Sequence, residues 1–162
     1  MFRGLYESTV DAKGRTSFPA KFRDAVVQRN EALCHDALRL GDDKAKACEK
    51  FILTTGIDRC LVVYTVDEWL EFENKLKKLP QFDPAVVQLK RLIVAAATEC
   101  ALDKNGRLHI PQLLREYASI DREVVWAGTL TTIELWSKDK WQEIREGADL
   151  ANIAKSLTEL GL

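Results

Sequence analysis

The sequence predicts an α+β fold in which two tandem β-rich repeats form one pseudo-symmetric body, with connecting and C-terminal helices. Three observations predict it. The pentapeptide Asp11-Ala12-Lys13-Gly14-Arg15 returns as Asp103-Lys104-Asn105-Gly106-Arg107, and the same spacing carries Pro19 onto Pro111 and Arg23 onto Arg115. Downstream, Gly56, Tyr64, Asp67 and Trp69 match Gly128, Trp136, Asp139 and Trp141 at a shorter spacing. Each copy alone is too short to bury a good core, because small bodies shield their surface poorly. The two must therefore interlock.

The elements follow in order. In each copy a short strand (about Leu5 to Val10, and Thr98 to Leu102) leads into the Asp-x-x-Gly turn. Asp at its first position can accept bonds from the turn's own N–H groups, and Gly at the fourth supplies a positive φ. The pattern suits a hairpin loop. A second strand follows, Arg15 to Phe18 and Arg107 to Ile110, ended by a proline that opens a helix with Phe22 and Val26, or Leu114 and Ala118, on one face. Two apolar strands come next: Phe51 to Thr54 and Cys60 to Tyr64 around Gly56-Ile57-Asp58, then Val124 to Ala127 and Thr132 to Trp136 around Gly128-Thr129. A closing helix starts at Thr65-Val66-Asp67-Glu68, which has capping-box form, and its counterpart starts at Ser137.

On this reading the first repeat covers residues 5–67, with an inserted polar excursion at about 30–50, and the second covers 98–140. A linking helix fills 81–97, opened by Asp83-Pro84, and an amphipathic helical segment fills 141–162 with Leu150, Ile153, Leu157 and Leu160 on one side.

Composition narrows the function classes. The chain of 162 residues is 46% hydrophobic and 30% charged, with a net charge of −1. Its longest apolar run, Leu92 to Ala97, is far short of the roughly 20 residues a membrane helix needs. Met1-Phe2-Arg3-Gly4 has no apolar signal region, so a cytoplasmic protein is expected. Cys34, Cys48, Cys60 and Cys100 show neither a C-x-x-C pair nor regular spacing, and read as reduced structural thiols; a zinc site at Cys34, His35 and Cys48 is disfavoured. His35 and His109 lack an oriented partner and nucleophile, and no P-loop, G-x-G-x-x-G or His-Glu-x-x-His is present, so no enzyme, cofactor or metal is expected.

Charge is concentrated locally. Between Asp11 and Arg23 stand Lys13, Arg15, Lys21 and Arg23 against one acid, and the second copy is one unit less basic. No turn type requires arginine where Arg15 and Arg107 stand, so each is expected at the tip of a narrow β-ribbon, a shape that enters the DNA major groove. The Asn105-Gly106 pair suggests a tighter hairpin in the second copy, re-aiming Arg107.

These residues also carry a resemblance. Met1-Phe2-Arg3-Gly4, the two Asp-x-x-Gly-Arg motifs with Pro19, Arg23, Pro111 and Arg115, and Thr98-Glu99-Cys100 resemble the MraZ family, bacterial regulators of the division and cell-wall gene cluster built of two SpoVT/AbrB-like repeats. The resemblance implies AbrB-like swapped hairpins, closed ring-like homo-oligomers, nucleoid association, and recognition of repeated boxes in double-stranded DNA upstream of that cluster. It implies Arg15 as the leading DNA contact, with Asp11 and Gly14 shaping its turn. With Arg107 as the second copy's counterpart, Asp103 and Gly106 shape the other turn, while Lys13, Lys21 and Arg23, joined by Arg3, neutralise phosphates. The rival expectation is an antitoxin-like AbrB-fold module whose partner is another protein.

Overall fold

The computed structural model describes residues 1–34 and 50–161, without the side chains of 27 and 29–34. Most of the excursion, residues 35–49 with His35 and Cys48, and the side chain of Cys34 lie outside the described residues, while its start continues the first helix as far as Cys34. The chain runs β1 (Phe2–Thr9), β2 (Arg15–Ser17), α1 (Ala20–Cys34), β3 (Phe51–Thr55), β4 (Leu61–Thr65), α2 (Val66–Lys77) and α3 (Pro84–Leu89). After a π-helical turn (Lys90–Val94) come β5 (Thr98–Cys100), β6 (Arg107–His109), α4 (Gln112–Tyr117), β7 (Glu123–Leu130), β8 (Thr132–Ser137), α5 (Lys138–Glu146) and α6 (Leu150–Glu159).

The strands form an antiparallel six-stranded sheet, ordered β1-β7-β8-β4-β3-β5, and a two-stranded ribbon of β2 and β6. Both sheets interleave the repeats. Each repeat's first strand pairs with the other repeat's third, β1 with β7 and β5 with β3. The second strands pair with each other, Arg15 opposite His109 and Ser17 opposite Arg107. The expected local hairpin is therefore replaced: among the described residues the segments flanking the first turn share a single bridge, Val10, just past β1, to Thr16. The physical reason is burial, since crossing over places Thr16 and Leu108 against the common core at 1% and 0% exposure.

A pseudo-two-fold axis passes through both sheets. In the ribbon, Thr16 pairs with its own repeat mate Leu108; at the centre of the large sheet, Val62 pairs with its mate Glu134. One core lies along the axis, with Phe2, Phe18, Phe22, Phe51, Leu61, Leu108, Ile110, Trp126 and Leu135 contributed by both repeats. Trp126 is fully buried, meets the Phe18 ring edge-on at 5.0 Å between centroids, and donates its indole N–H to Ser8 Oγ at 3.0 Å.

Several local expectations need correction. Gly128 is inside β7, opposite Gly4, and the reversal falls at Leu130 and Thr131. A Cβ on Gly128 would lie 2.6 Å from the Arg3 nitrogen, so glycine there lets β1 approach. The ladders pair Phe51 with Thr65 but Val124 with Ser137, so the first hairpin is one residue longer and Gly56 is not the mate of Gly128. The capping box at Thr65 does not close: its hydroxyl donates to the Asp67 carboxylate, and its side chain caps no helix N–H. Ser137 does cap α5, accepting from Lys140 N at 3.4 Å. The linking helix is regular α-helix only to Leu89. Its π turn is seated by Thr54 and Thr55, whose hydroxyls each donate to a freed carbonyl, of Ile93 and Leu92, at 2.5 Å.

Candidate nucleic-acid interface

Each Asp-x-x-Gly-Arg turn is closed by its own aspartate. In the first, Asp11 Oδ1 accepts from Lys13 N at 2.9 Å and Arg15 N at 3.0 Å, and Gly14 N donates to the Asp11 carbonyl at 2.8 Å. In the second, Asp103 Oδ1 accepts from Asn105 N at 2.8 Å and Arg107 N at 3.0 Å, with Gly106 N on the Asp103 carbonyl at 2.8 Å. The glycines have φ of 75° and 69°. Asn105-Gly106 thus makes the same loop as Lys13-Gly14, and no tighter hairpin forms. The aspartate dictates the geometry, because it satisfies the same two N–H groups in both copies.

The arginines have a structural duty that sequence reasoning missed. Arg15 places Nε at 2.9 Å and Nη2 at 2.7 Å from Asp11 Oδ2, and Arg107 matches this on Asp103 at 2.9 and 2.8 Å. The guanidinium, aided by the backbone N–H bonds, holds the Asp11 carboxyl down at about 2, and Asp103 is lowered for the same reasons. Each arginine nevertheless remains about one-third exposed. The carboxylate engages one edge of the fork and leaves Nη1 for another acceptor, so the side chain is aimed before any partner arrives.

Alternation along the ribbon sets which residues share its outer face. Thr16 and Leu108 point into the core, so Arg15, Ser17, Arg107 and His109 lie on the opposite side. Lys13 and Lys104 stand exposed in the turns, and Lys21 and Arg23 stand exposed on the first turn and a half of α1. The structure brings Arg15, Lys13, Arg107 and Arg23 to one side of the molecule. Arg23 Nη1 lies 3.1 Å from where a Gly106 Cβ would be, so this first-repeat residue flanks the second repeat's turn. Arg3 is not brought there. It pairs with Thr129 near the start of β1, about 25 Å of extended strand from Asp11.

His109 is exposed on the ribbon, and the cleft beside the first turn is lined by Thr9, Val10, Asp11, Ala12, Arg115, Asp121 and Arg122, without a nucleophile–base pair. Among the described residues no group of His, Cys, Asp and Glu has metal-site geometry, and no helix is long and apolar enough to cross a membrane.

Fold and site together define a class: double-repeat α+β proteins with crossed hairpins and a basic ribbon face. The MraZ protein family, described as antitoxin-like, matches residues 1–92 and again 93–160. The chain is 40% identical over 164 residues to the transcriptional regulator MraZ of Thermoanaerobacter sp. (strain X514) and 42% identical over 166 residues to that of Caldicellulosiruptor saccharolyticus, covering all of both chains in each comparison. It is 41% identical over 151 residues to the MraZ of Caldanaerobacter subterraneus, covering 93% of this chain and 91% of that one. The chain belongs to the MraZ family, whose curated members named here are transcriptional regulators.

Proposed function

We propose that the protein is a sequence-specific DNA-binding transcriptional regulator that acts on repeated boxes upstream of the division and cell-wall gene cluster. The observation that carries this reading is the ribbon face, where Arg15 and Arg107 are each held by an aspartate with part of the guanidinium free. A fixed guanidinium suits paired hydrogen bonds to a guanine edge, while Lys13, Lys21 and Arg23 supply phosphate neutralisation. The functional units are the repeats at 5–67 and 98–140, joined through 81–97 and followed by 141–162. The protein works in the cytoplasm at the nucleoid.

A homo-oligomer, in the form of a closed ring, belongs to this reading. α6 has no buried residue, and Leu150, Ile153 and Leu157 along it and Leu160 just past its end all stand exposed. A ten-residue helix with an uncovered apolar stripe is marginal alone, and head-to-tail contacts that close would cover every copy. Several linked subunits on repeated boxes then raise a weak single-site affinity by avidity.

The test is a DNA-retention assay with a fragment from upstream of the protein's own gene, using wild type and Arg15→Ala. Selective retention lost in the variant is expected. Equal retention of unrelated DNA, or a stable non-self protein partner without DNA, would support the antitoxin-like reading instead.

A further inference from the structure

Arg115 has no place in the interface drawn so far, and its surroundings are unusual. It is the repeat mate of Arg23, on α4 of the second repeat, yet it lies against the first repeat's turn. A Cβ added to Gly14 would be 3.0 Å from Arg115 Nε and 3.1 Å from Cζ, so glycine at this position makes room for the guanidinium as well as for the turn. The Nε atom is buried and has no hydrogen-bond partner. Among the described residues Arg115 makes no ion pair, whereas Arg23 has the Asp24 carboxylate at 4.0 Å.

An arginine is charged at every working pH, and a buried N–H without an acceptor is costly. Nε itself is sealed by Gly14, but Arg115 as a whole is only half-buried, so the rest of its guanidinium is the part an incoming acceptor can reach. The wall it occupies bounds an open cleft of about 520 Å³ with Thr9, Val10, Asp11, Ala12, Asp121 and Arg122. Of the two acids there, Asp11 is already neutralised by Arg15, so Arg115 and Arg122 outweigh Asp121 among the residues that line it. The excess is positive, and the cleft adjoins the turn that carries Arg15.

Resting on the DNA-binding reading, we propose that Arg115 is a phosphodiester-binding residue, lent by the second repeat to the first repeat's turn, and seats the DNA backbone while Arg15 meets the bases. The arrangement is crossed, because Arg23 is lent to the second turn in the same way but with its charge partly offset by Asp24.

The experiment measures affinity of the full-length protein for a duplex from upstream of its own gene and for a scrambled duplex, between 50 and 200 mM salt, roughly the range over which phosphate contacts dominate the change. Wild type, Arg115→Gln, Arg115→Lys and Arg15→Ala are compared, each checked for folding by circular dichroism. The expected result is that Arg115→Gln weakens both duplexes by the same factor and flattens the slope of log affinity against log salt by about 0.9 per engaged site. Arg115→Lys should keep the slope, and Arg15→Ala should weaken the native duplex more than the scrambled one. A wild-type slope and affinity for Arg115→Gln, with Arg15→Ala still selective, would overturn the role of Arg115 alone. Failure of wild type to prefer the native duplex would remove the DNA reading and this proposal with it. Displacement of DNA by inorganic phosphate at constant ionic strength, lost in Arg115→Gln, would make the cleft a free-anion site and overturn the phosphodiester assignment.

Discussion

Asp11 and Arg15 hold each other at 2.7 Å across one turn, and this contact fixes the direction of the guanidinium while the other oxygen of the same carboxylate closes the loop. The loop and the aim of Arg15 cannot be altered separately. Asp11→Ala should therefore lower DNA affinity although it removes a negative charge from a basic face. A variant that binds DNA better than wild type at low salt would show that net charge matters more than aim.

The same contact sets an acid limit. The Asp11 carboxyl is lowered from its usual 3.8 to about 2 in the folded state, so its contribution to stability is complete above about pH 4 and is lost as pH falls through about 2. Asp103 moves in the same direction. Urea midpoints of wild type and Asp11→Asn, followed from pH 5 to pH 2, should converge on the acid side. A gap that stays constant would place the stabilisation in the backbone bonds alone.

The two motif glycines should differ in tolerance. Both have positive φ, which costs an alanine about 1 kcal/mol. A Cβ on Gly14 would also meet the Ile110 carbonyl at 2.9 Å, whereas one on Gly106 would meet only the end of the Arg23 side chain at 3.1 Å. Gly14→Ala should lose more stability than Gly106→Ala by chemical denaturation, since backbone yields less readily than a side-chain terminus.

Trp126 joins the repeats at the core. Removing its buried ring should cost about 3–5 kcal/mol in Trp126→Ala, and Trp126→Phe, which loses the bond to Ser8, should fall in between. Both should lower the whole transition rather than split it, because β1 and β7 come from different repeats. Two separate unfolding steps would contradict a shared core.

Cys60 and Cys100 should resist alkylation in the native protein at pH 8. Burial pushes both thiols up to about 12, so thiolate is scarce, and labelling followed by mass spectrometry should find them protected until the chain is denatured.

The contribution of the two turns should be unequal for a reason of charge rather than geometry. The loops have the same hydrogen bonds and one lysine each, Lys13 and Lys104, but Lys21 stands where the second copy has Leu113. Arg15→Ala should cost about tenfold or more in specific binding and Arg107→Ala less, measured on a multi-box fragment at fixed salt. Equal losses would reject the asymmetry.

The duplicated turns were legible because they depend on residues a few positions apart: Asp11 binds Lys13 and Arg15, and glycine follows. The pairing of β2 with β6 was not legible from alternation, which says which side chains face inward but not which strand lies alongside; the family resemblance implied swapped hairpins without naming the pair. Gly128 misled for a related reason. A glycine between two apolar runs reads as a turn, and only the close approach of the β1 backbone at Phe2 and Arg3 explains it. The clasp of Arg15 was hidden by a sound but incomplete premise, that a turn needs no arginine, since a turn closed by a carboxylate can still engage a cation. The π turn has a signal in Thr54 and Thr55, polar residues in a buried strand, yet their acceptors lie on a distant helix.

The axis through Thr16–Leu108 and Val62–Glu134 relates halves that are physically one chain. Two identical separate chains in this arrangement would be bound to mutate in pairs, every substitution appearing on both sides at once. Covalent fusion lifts that bond. The first half can keep lysines at positions 13 and 21 while the second has Asn105 and Leu113, and the long hairpin can sit opposite the short one without a mixture of assemblies forming. The fold thereby obtains the handedness of a heterodimer, a defined front and back, from a single gene product in fixed one-to-one proportion.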